Sequence, residues 1–398
     1  MDFIAAAHSH TALRADENNN KKESRDISIA LALLMIAVML PVMAMAEGTN
    51  VAKIDNKEYA TLKDAFDAVK DGQTIEVMKN CSGNGIVVNS GRNFTVDFNN
   101  CTYDIDGTTV GSTGTETNGF QLLKDSTITF KNGKLTSTKA KILIQNYCNL
   151  TLENMELDGR NLNRSNPNYT LSNNNGNVVI KDTTIFAADG MVAFDVCRYA
   201  DYTGPSVTVQ GNSVINGKVE ISSSAPKDGA QHRLIISGGT FNGPIVKVGD
   251  NHDFLSNISG GIFVSDIVPF TGNSAFVVKD NNTGLYYAGG DAETVISEVE
   301  SGSFTVLTNY HSELTVNPGV SITNGMPEGT FTVNGQVLNP GETHPTPSDG
   351  SSVTVRVPET ISGDGAKNPT TGASSTGNVA VATAVVLLVS AAVVIRKK

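Results

Sequence analysis

Two charged segments in the middle of the sequence contain residue types that could carry out chemistry on a polysaccharide. Carboxylates holding Ca2+ beside an Arg base could remove a proton next to the carboxyl group of a uronate. A pair of Asp or Glu side chains flanking a glycosidic bond could hydrolyse that bond instead. The candidates are Glu156, Asp158, Arg160 and Arg164 in the first segment, and Asp195, Arg198 and Asp201 in the second.

Neither segment has the spacing of a defined catalytic motif such as Asn-Thr-Asp or Gly-His-Gly. The favoured interpretation is therefore loop charges held in ordinary ion pairs, with no cofactor and no metal. The histidines are scattered, and His232, beside Arg233, is expected on the surface. The tyrosines could stack on sugar rings, although adjacent ones in a strand more often divide between core and surface. These residues are His232, His252, His311 and His344, and Tyr199, Tyr202, Tyr286 and Tyr287.

The composition excludes several classes of protein. The 398-residue chain has a formal net charge of -11, which argues against a nucleic-acid partner. No two cysteines have C-x-x-C spacing, so a zinc site is not expected. We favour buried free thiols, although a disulfide would be permitted outside the cell. The cysteines are Cys81, Cys101, Cys148 and Cys197.

Residues 1–46 have the three parts of an export signal. Basic residues precede an apolar run over 27–40, and small residues follow at Ala44 and Ala46, the positions that a signal peptidase recognises. The apolar run is too short for an ordinary membrane span, so we expect cleavage before Glu47. Residues 1–20 are interpreted as an extension that results from an upstream start codon.

The C-terminal end of the chain has the features of a second targeting signal. An apolar run over 379–395 is long enough to cross a thin bilayer as a helix, and basic residues at 396–398 follow it. Directly before the run stands the sequence Asn368, Pro369, Thr370, Thr371 and Gly372. Proline denies the backbone a donor, and glycine leaves the Thr-Gly bond accessible.

This combination resembles the LPxTG-type sorting signal of surface proteins of Gram-positive cell walls. In that family a sortase cleaves the Thr-Gly bond and joins the threonine carbonyl to an amine of the peptidoglycan precursor. The resemblance implies transfer at Thr371, only transient use of the membrane, and an extracellular location with a covalent link to the wall. Asn368 replaces the usual Leu of the family, which leaves the class of sortase open. The alternative is a simple tail-anchored membrane protein.

Between the two ends an apolar pattern recurs at intervals of 22 to 32 residues. Apolar residues at every second position predict short strands with one buried face, and turn-forming residues follow each strand. The apolar column is Phe98, Phe130, Leu152, Ile180, Val209, Ile236 and Ile258. Two positions later stand Asn100, Asn132, Asn154, Asp182, Gly211, Gly238 and Gly260, for which we predict a left-handed backbone.

Repeated strands with insertions of variable length indicate a solenoid. The pattern resembles the right-handed parallel β-helices of the pectate-lyase-like superfamily, and a helix near 60–69 would cover the open end of such a solenoid. We therefore predict an all-β fold. Its parts are a signal peptide over 1–46, a cap over 47–71, a β-helix over 72–290, terminal coils or a small β module over 291–337, a spacer over 338–367 with a possible strand at 353–357, and the sorting signal over 368–398 with its membrane helix at 379–395.

The sequence supports one leading function and two alternatives. The leading one is a surface protein that presents its β-helix for binding or adhesion to a glycan or a host protein. The first alternative is an extracellular polysaccharide lyase or glycoside hydrolase, with Ca2+ only in the lyase case. The second is a structural stalk or a component of a surface layer. The fold alone does not choose among these, because β-helices serve many functions.

Overall fold

The computed structural model describes residues 49–163, 168–225, 231–249, 253–271, 275–308 and 313–345. The predicted signal peptide, the possible strand at 353–357, the sorting signal and the membrane segment lie outside these residues. Within them, no helix is both long and apolar enough to cross a membrane.

The described chain forms a right-handed parallel β-helix of about seven turns. The strands, in chain order, are β1 (Ala52–Ile54), β2 (Lys57–Tyr59), β3 (Thr74–Val77), β4 (Cys81–Gly83), β5 (Ile86–Val88), β6 (Asn93–Ile105), β7 (Asn118–Leu122), β8 (Thr127–Ser137), β9 (Ile142–Asn146), β10 (Asn149–Gly159), β11 (Tyr169–Asn173), β12 (Asn177–Lys181), β13 (Thr184–Ala187), β14 (Val192–Arg198), β15 (Ser206–Gln210), β16 (Val214–Asn216), β17 (Lys218–Ser223), β18 (His232–Phe241), β19 (Ile245–Lys247), β20 (Phe254–Phe263), β21 (Val277–Asp280), β22 (Tyr286–Ala288), β23 (Ser301–Val306), β24 (Glu313–Leu314), β25 (Gly319–Asn324), β26 (Phe331–Val333), β27 (Gln336–Leu338) and β28 (Thr343–His344). The helices are α1 (Leu62–Ala68), α2 (Val268–Thr271) and α3 (Gly289–Glu298).

Two sheets form the walls of the solenoid. The large sheet contains long bent strands such as β6, β8 and β10, which pair in parallel from coil to coil. The seven-stranded sheet is entirely parallel and has the order β19-β17-β14-β11-β9-β7-β5. Alternate residues of each strand point into the space between the sheets, which is filled by one continuous apolar core.

The predicted apolar column is correct from the second coil onward and wrong in the first. Phe130 is aligned with Val96, not with Phe98. Strand β6 contains a bulge between Asp97 and Cys101 that inserts two extra residues relative to β8. Phe98 lies in this bulge and remains fully buried, with its ring edge-on to that of Phe130 at a centroid distance of 5.7 Å. An insertion of two residues keeps the inward alternation, so the sequence pattern could not reveal it.

The predicted left-handed bends are confirmed in the first five coils. Asn132 and Asn154 have φ angles of 56° and 53°, and Asn100, Asp182 and Gly211 also have positive φ. The two Asn side chains form a ladder, since the Asn154 amide donates to Oδ1 of Asn132 over 3.1 Å. In the last two coils the prediction is wrong by one residue. There the left-handed positions are Gly239 and Gly261, and Gly238 and Gly260 are not left-handed.

Helix α1 packs on the first coil near the predicted position. Its N-terminus is capped by Thr61, whose Oγ1 accepts a hydrogen bond from the backbone N–H of Asp64 over 3.1 Å. Phe66 is buried among aromatic rings of the core, with its centroid 5.5 Å from Phe94 and 5.9 Å from Phe120. The helix therefore covers the apolar core at the N-terminal end of the solenoid, where the described residues form no preceding coil to cover it.

The parallel stacking ends after β20. Strand β22 pairs with β20 antiparallel, and β23 and β25 form the only parallel pair of the large sheet beyond this point in the described residues. Helix α3 was not predicted, and a second apolar core lies around it. Tyr287 is buried there and Tyr286 is half-buried, as expected for adjacent residues of a strand.

All four cysteines are free, as the sequence analysis favoured. Only Cys148 is fully buried, whereas Cys81, Cys101 and Cys197 are partly exposed. Burial raises the pKa of the Cys81 thiol to about 11, so this thiol is protonated at neutral pH.

Candidate functional site

A cavity of about 360 Å³ lies beside the carboxyl ends of several strands of the seven-stranded sheet. The strands are parallel, so the residues that follow β7, β9 and β14 come together at one edge of the sheet. We call this cavity the tyrosine pocket. Its described lining residues are Ser90, Ser112, Gln121, Leu123, Lys124, Tyr147, Tyr199 and Tyr202.

Three tyrosines form one wall of the pocket. The ring centroid of Tyr147 lies 5.6 Å from that of Tyr202 and 6.4 Å from that of Tyr199. Tyr199 is 46% exposed, so the cluster is open to solvent. Burial raises the pKa of Tyr147 to about 12, which keeps its hydroxyl protonated and able to donate. The wall thus offers both aromatic faces and hydroxyl groups.

Two hydrogen bonds stabilise the turn that carries Tyr199 and Tyr202. Tyr202 donates its backbone N–H to the Tyr199 carbonyl over 3.1 Å. Arg198 is 2% exposed, and its Nε donates to the Tyr202 carbonyl over 3.2 Å. Arg198 is one of the candidate catalytic residues of the sequence analysis, and in the structure its hydrogen bond supports the turn. Asp201, also a candidate, is exposed in the turn itself.

Amide groups form the polar part of the pocket. The Gln121 side chain donates to Oε1 of Gln145 over 3.3 Å, and Asn118 donates to the same oxygen over 2.7 Å. The carbonyl oxygen of Gln121 then has no donor among the described residues, which leaves it available to a ligand. Lys124 is exposed and is the one charged residue in the described lining.

Asp195 lies on the outward face of the same sheet, beside Ser172 and Glu220 of the neighbouring strands. Its Oδ1 accepts the Asn173 N–H over 2.6 Å. Burial, and to a smaller extent the charge of Glu220, raise the pKa of Asp195 to about 8. Asp195 is therefore mostly protonated at neutral pH, whereas Glu220 forms an ion pair with Lys218 over 2.9 Å.

A protonated carboxyl group beside a paired carboxylate is the division of roles that glycoside hydrolysis uses. However, Asp195 is only 4% exposed and Glu220 only 8%. A sugar could not reach both side chains without a rearrangement. In the described part of the chain, no three Asp, Glu, His or Cys side chains are grouped to hold a metal ion.

The first charged segment lies elsewhere, on the outside of the large sheet. Asp158 accepts from Nε and Nη2 of Arg160 over 2.8 and 2.7 Å, and from Nζ of Lys134 over 2.8 Å. These contacts, led by the Arg160 bonds, hold the pKa of Asp158 well below its usual range. Lys134 also contacts Glu156 over 2.9 Å, and Arg160 lies over the Phe186 ring. This cluster is internally paired and is separate from the tyrosine pocket; Arg164 lies outside the described residues.

The expectation that His232 lies on the surface is wrong. Its ring is fully buried and stacks on Phe254 at a centroid distance of 6.2 Å. The cause is strand alternation, because His232 takes the inward position of β18 opposite Phe254 of β20. His344 contacts Gln336 at its Nδ1 over 3.0 Å, and His252 and His311 lie outside the described residues.

The sequence analysis missed Gln121, Lys124 and Tyr147. A second apolar column would have located them, since it marks the inward positions of the seven-stranded sheet. This column is Phe120, Ile144, Leu171, Phe194, Val219 and Ile245. Relative to it, Gln121 is the next outward residue. Tyr147 directly follows the end of β9, and Lys124 is the second residue after the end of β7.

The chain matches no model of a known protein family, no curated protein and no solved structure.

Proposed function

We propose that this protein is an exported, wall-anchored surface protein that binds a glycan through the tyrosine pocket. The observation that supports binding is the solvent-open cluster of Tyr147, Tyr199 and Tyr202 beside the side-chain amide of Gln121, whose oxygen accepts no hydrogen bond within the described residues. The apolar face of a sugar ring packs on aromatic rings, and its hydroxyl groups need polar partners placed around that contact.

The size and position of the pocket fit this role. A cavity of about 360 Å³ is in the usual range for a small-molecule site. It lies on the side of the solenoid, where a glycan on another cell could reach it. Its walls come from separate coils, so the stacked coils fix the spacing of the tyrosines.

Binding can be tested on a glycan array with the purified protein. We expect Tyr147→Ala and Tyr202→Ala each to weaken binding about tenfold, because an aromatic contact contributes about 1 kcal/mol beyond its buried area. Tyr286→Ala is the matched control, since Tyr286 lies outside the described pocket lining. Failure to bind any glycan, or binding that both pocket variants leave unchanged, would contradict the proposal.

A host protein could be the ligand in place of a glycan. Enzymatic removal of surface glycans from host cells separates the two cases. Adhesion that disappears with the glycans supports our proposal, and adhesion that survives supports a protein ligand.

The anchoring part of the proposal rests on the sequence at 368–372. Replacing Thr371 and Gly372 by Ala in the native host should release the protein from the wall fraction. Ser374→Ala with Ser375→Ala is a matched change in the same tail and should leave the wall link intact. A Thr371/Gly372 variant that is still covalently bound to peptidoglycan would show that a sortase does not act at this bond.

A second candidate, an extracellular glycoside hydrolase or lyase, is favoured by one observation. Asp195 and Glu220 lie on adjacent strands, and Asp195 is protonated at neutral pH. New reducing ends in a neutral polysaccharide, lost in Asp195→Asn, would support hydrolysis. Unsaturated products from an acidic polysaccharide with Ca2+ would indicate a lyase. A chain that neither binds nor cleaves glycans would be a stalk or surface-layer component.

A further inference from the structure

Lys124 gives the tyrosine pocket a positive charge without an internal counter-ion. The residue is exposed, and its side chain makes no ion pair or hydrogen bond within the described residues. Six other lysines of the described residues are paired with a carboxylate, whereas Lys139 and Lys141, which lie outside the pocket lining, have no ion pair either. The paired lysines are Lys53, Lys63, Lys131, Lys134, Lys181 and Lys218.

Building on the proposed function, we propose that the glycan bound in this pocket carries a single anionic group, a carboxylate or a sulfate, which pairs with Lys124. The tyrosines contact the sugar ring, and the ammonium group contacts its charge. An ammonium group is a compact point charge and suits either anion.

The lining of the pocket and the sheet row beside it are compatible with an anion, and the nearest carboxylates in the sequence, Asp125 and Asp201, are exposed to water, which screens their charge. The described lining contains no acidic residue. The outward row of the seven-stranded sheet continues from Gln121 through Gln145 and Ser172 to Asp195. Asp195 is mostly neutral below pH 8, and Glu220 beyond it is paired with Lys218. An anionic ligand therefore meets little repulsion along this row.

The negative net charge of the chain disfavours a ligand that carries many negative charges. The chain has a formal net charge of -11, so a polyanion would be repelled over a long surface. One lysine compensates one anionic group. An isolated anionic sugar on an otherwise neutral glycan fits these conditions better than a polyuronate or a heavily sulfated chain.

The test uses calorimetric titration of the intact protein with matched trisaccharides at pH 7 and low salt. One trisaccharide is neutral, one ends in a uronic acid, and one ends in a sulfated sugar. We expect at least one anionic form to bind about two- to fivefold more tightly than the neutral form, and the comparison of the two identifies the anion. Added salt should reduce this preference.

Variants separate the role of Lys124 from a general charge effect. Lys124→Gln should make neutral and anionic forms bind alike, and Lys124→Arg should keep the preference. Lys139→Gln removes the same charge outside the described lining and should change nothing. Thermal unfolding of each variant checks that the fold is intact.

The outcomes distinguish this inference from the proposed function. Equal binding of all three trisaccharides by the wild type, or a preference that survives in Lys124→Gln, overturns the inference and leaves glycan binding in place. A polyuronate that binds more tightly per site than the single uronate overturns the limit to one charge. Absence of binding by every sugar overturns both proposals.

Discussion

Arg198 holds Tyr202 in place through a hydrogen bond of 3.2 Å from Nε to the Tyr202 backbone oxygen. The guanidinium group is buried beneath the turn, and Tyr202 contacts the ring of Tyr147 on the other side of β11. The shape of the pocket therefore depends on a residue that is not part of its described lining. This relationship leads to the first prediction.

Arg198→Met should weaken glycan binding about tenfold, because the turn that carries Tyr199 and Tyr202 loses a charge-assisted hydrogen bond worth about 1.5–3 kcal/mol. The near-ultraviolet circular dichroism of the tyrosines should change as well, since their ring packing changes. Arg233→Met, at an exposed position of β18, is the control for loss of an arginine. Unchanged affinity and an unchanged tyrosine signal in Arg198→Met would show that the turn keeps its shape without this bond.

Asp195 should make the stability of the protein fall with rising pH. Its pKa is about 8 in the folded state, mainly because of burial, and about 4 in the unfolded state. Between these values the folded state binds more protons than the unfolded state, so the stabilising contribution present below about pH 4 is lost as the pH rises to about 8.

Urea unfolding of Asp195→Asn from pH 4 to pH 9 measures this effect. The variant should gain stability relative to the wild type as the pH rises, by at least about 1 kcal/mol at pH 9. Asp189→Asn, at an exposed position, should follow the wild-type profile. A pH-independent difference between Asp195→Asn and the wild type would mean that Asp195 is already ionised in the folded protein.

The cluster around Asp158 should have the opposite pH dependence. Arg160 and Lys134 keep the pKa of Asp158 below its unfolded value, so its contribution is present above about pH 4 and is lost as the pH falls. Asp158→Asn should cost about 1–2 kcal/mol of unfolding free energy at pH 7 and progressively less toward pH 2. Glu153→Gln, which breaks a more exposed pair with Lys181, should cost much less. Equal costs of the two changes in urea unfolding at pH 7 would contradict this account.

Substitutions of Asn132 test whether the left-handed backbone at the bends requires Asn or Gly. At a φ of 56°, Asn132→Ala should cost about 1 kcal/mol more unfolding free energy than Asn132→Gly, because a left-handed backbone is strained for alanine and not for glycine. Asn149 has no positive φ, so there the order should reverse, and Gly should be worse than Ala. Both orders can be measured by chemical denaturation, and the same order at both sites would rule out backbone strain as the cause.

Much of the solenoid could be predicted because each coil repeats a local rule. Apolar residues at every second position mark the inward face of a strand, and Asn, Asp or Gly after them marks a bend. Asn132 and Asn154 follow this rule. The first coil was misaligned because Phe98 and Val96 are both apolar and both point inward. A bulge of two residues preserves that alternation, so only the pairing with β8 could reveal it.

The sequence by itself determined the β-helix, the capping helix and the left-handed turns of the first five coils, because these depend on neighbouring residues in the chain. Only the tertiary structure decided which residues line the tyrosine pocket. Tyr147 and Tyr202 meet because the turn after β14 reaches across β11 to the end of β9. The protonation of Asp195 was decided in the same way, since its burial depends on what covers the seven-stranded sheet. Such contacts join distant coils, and strand alternation carries no information about them.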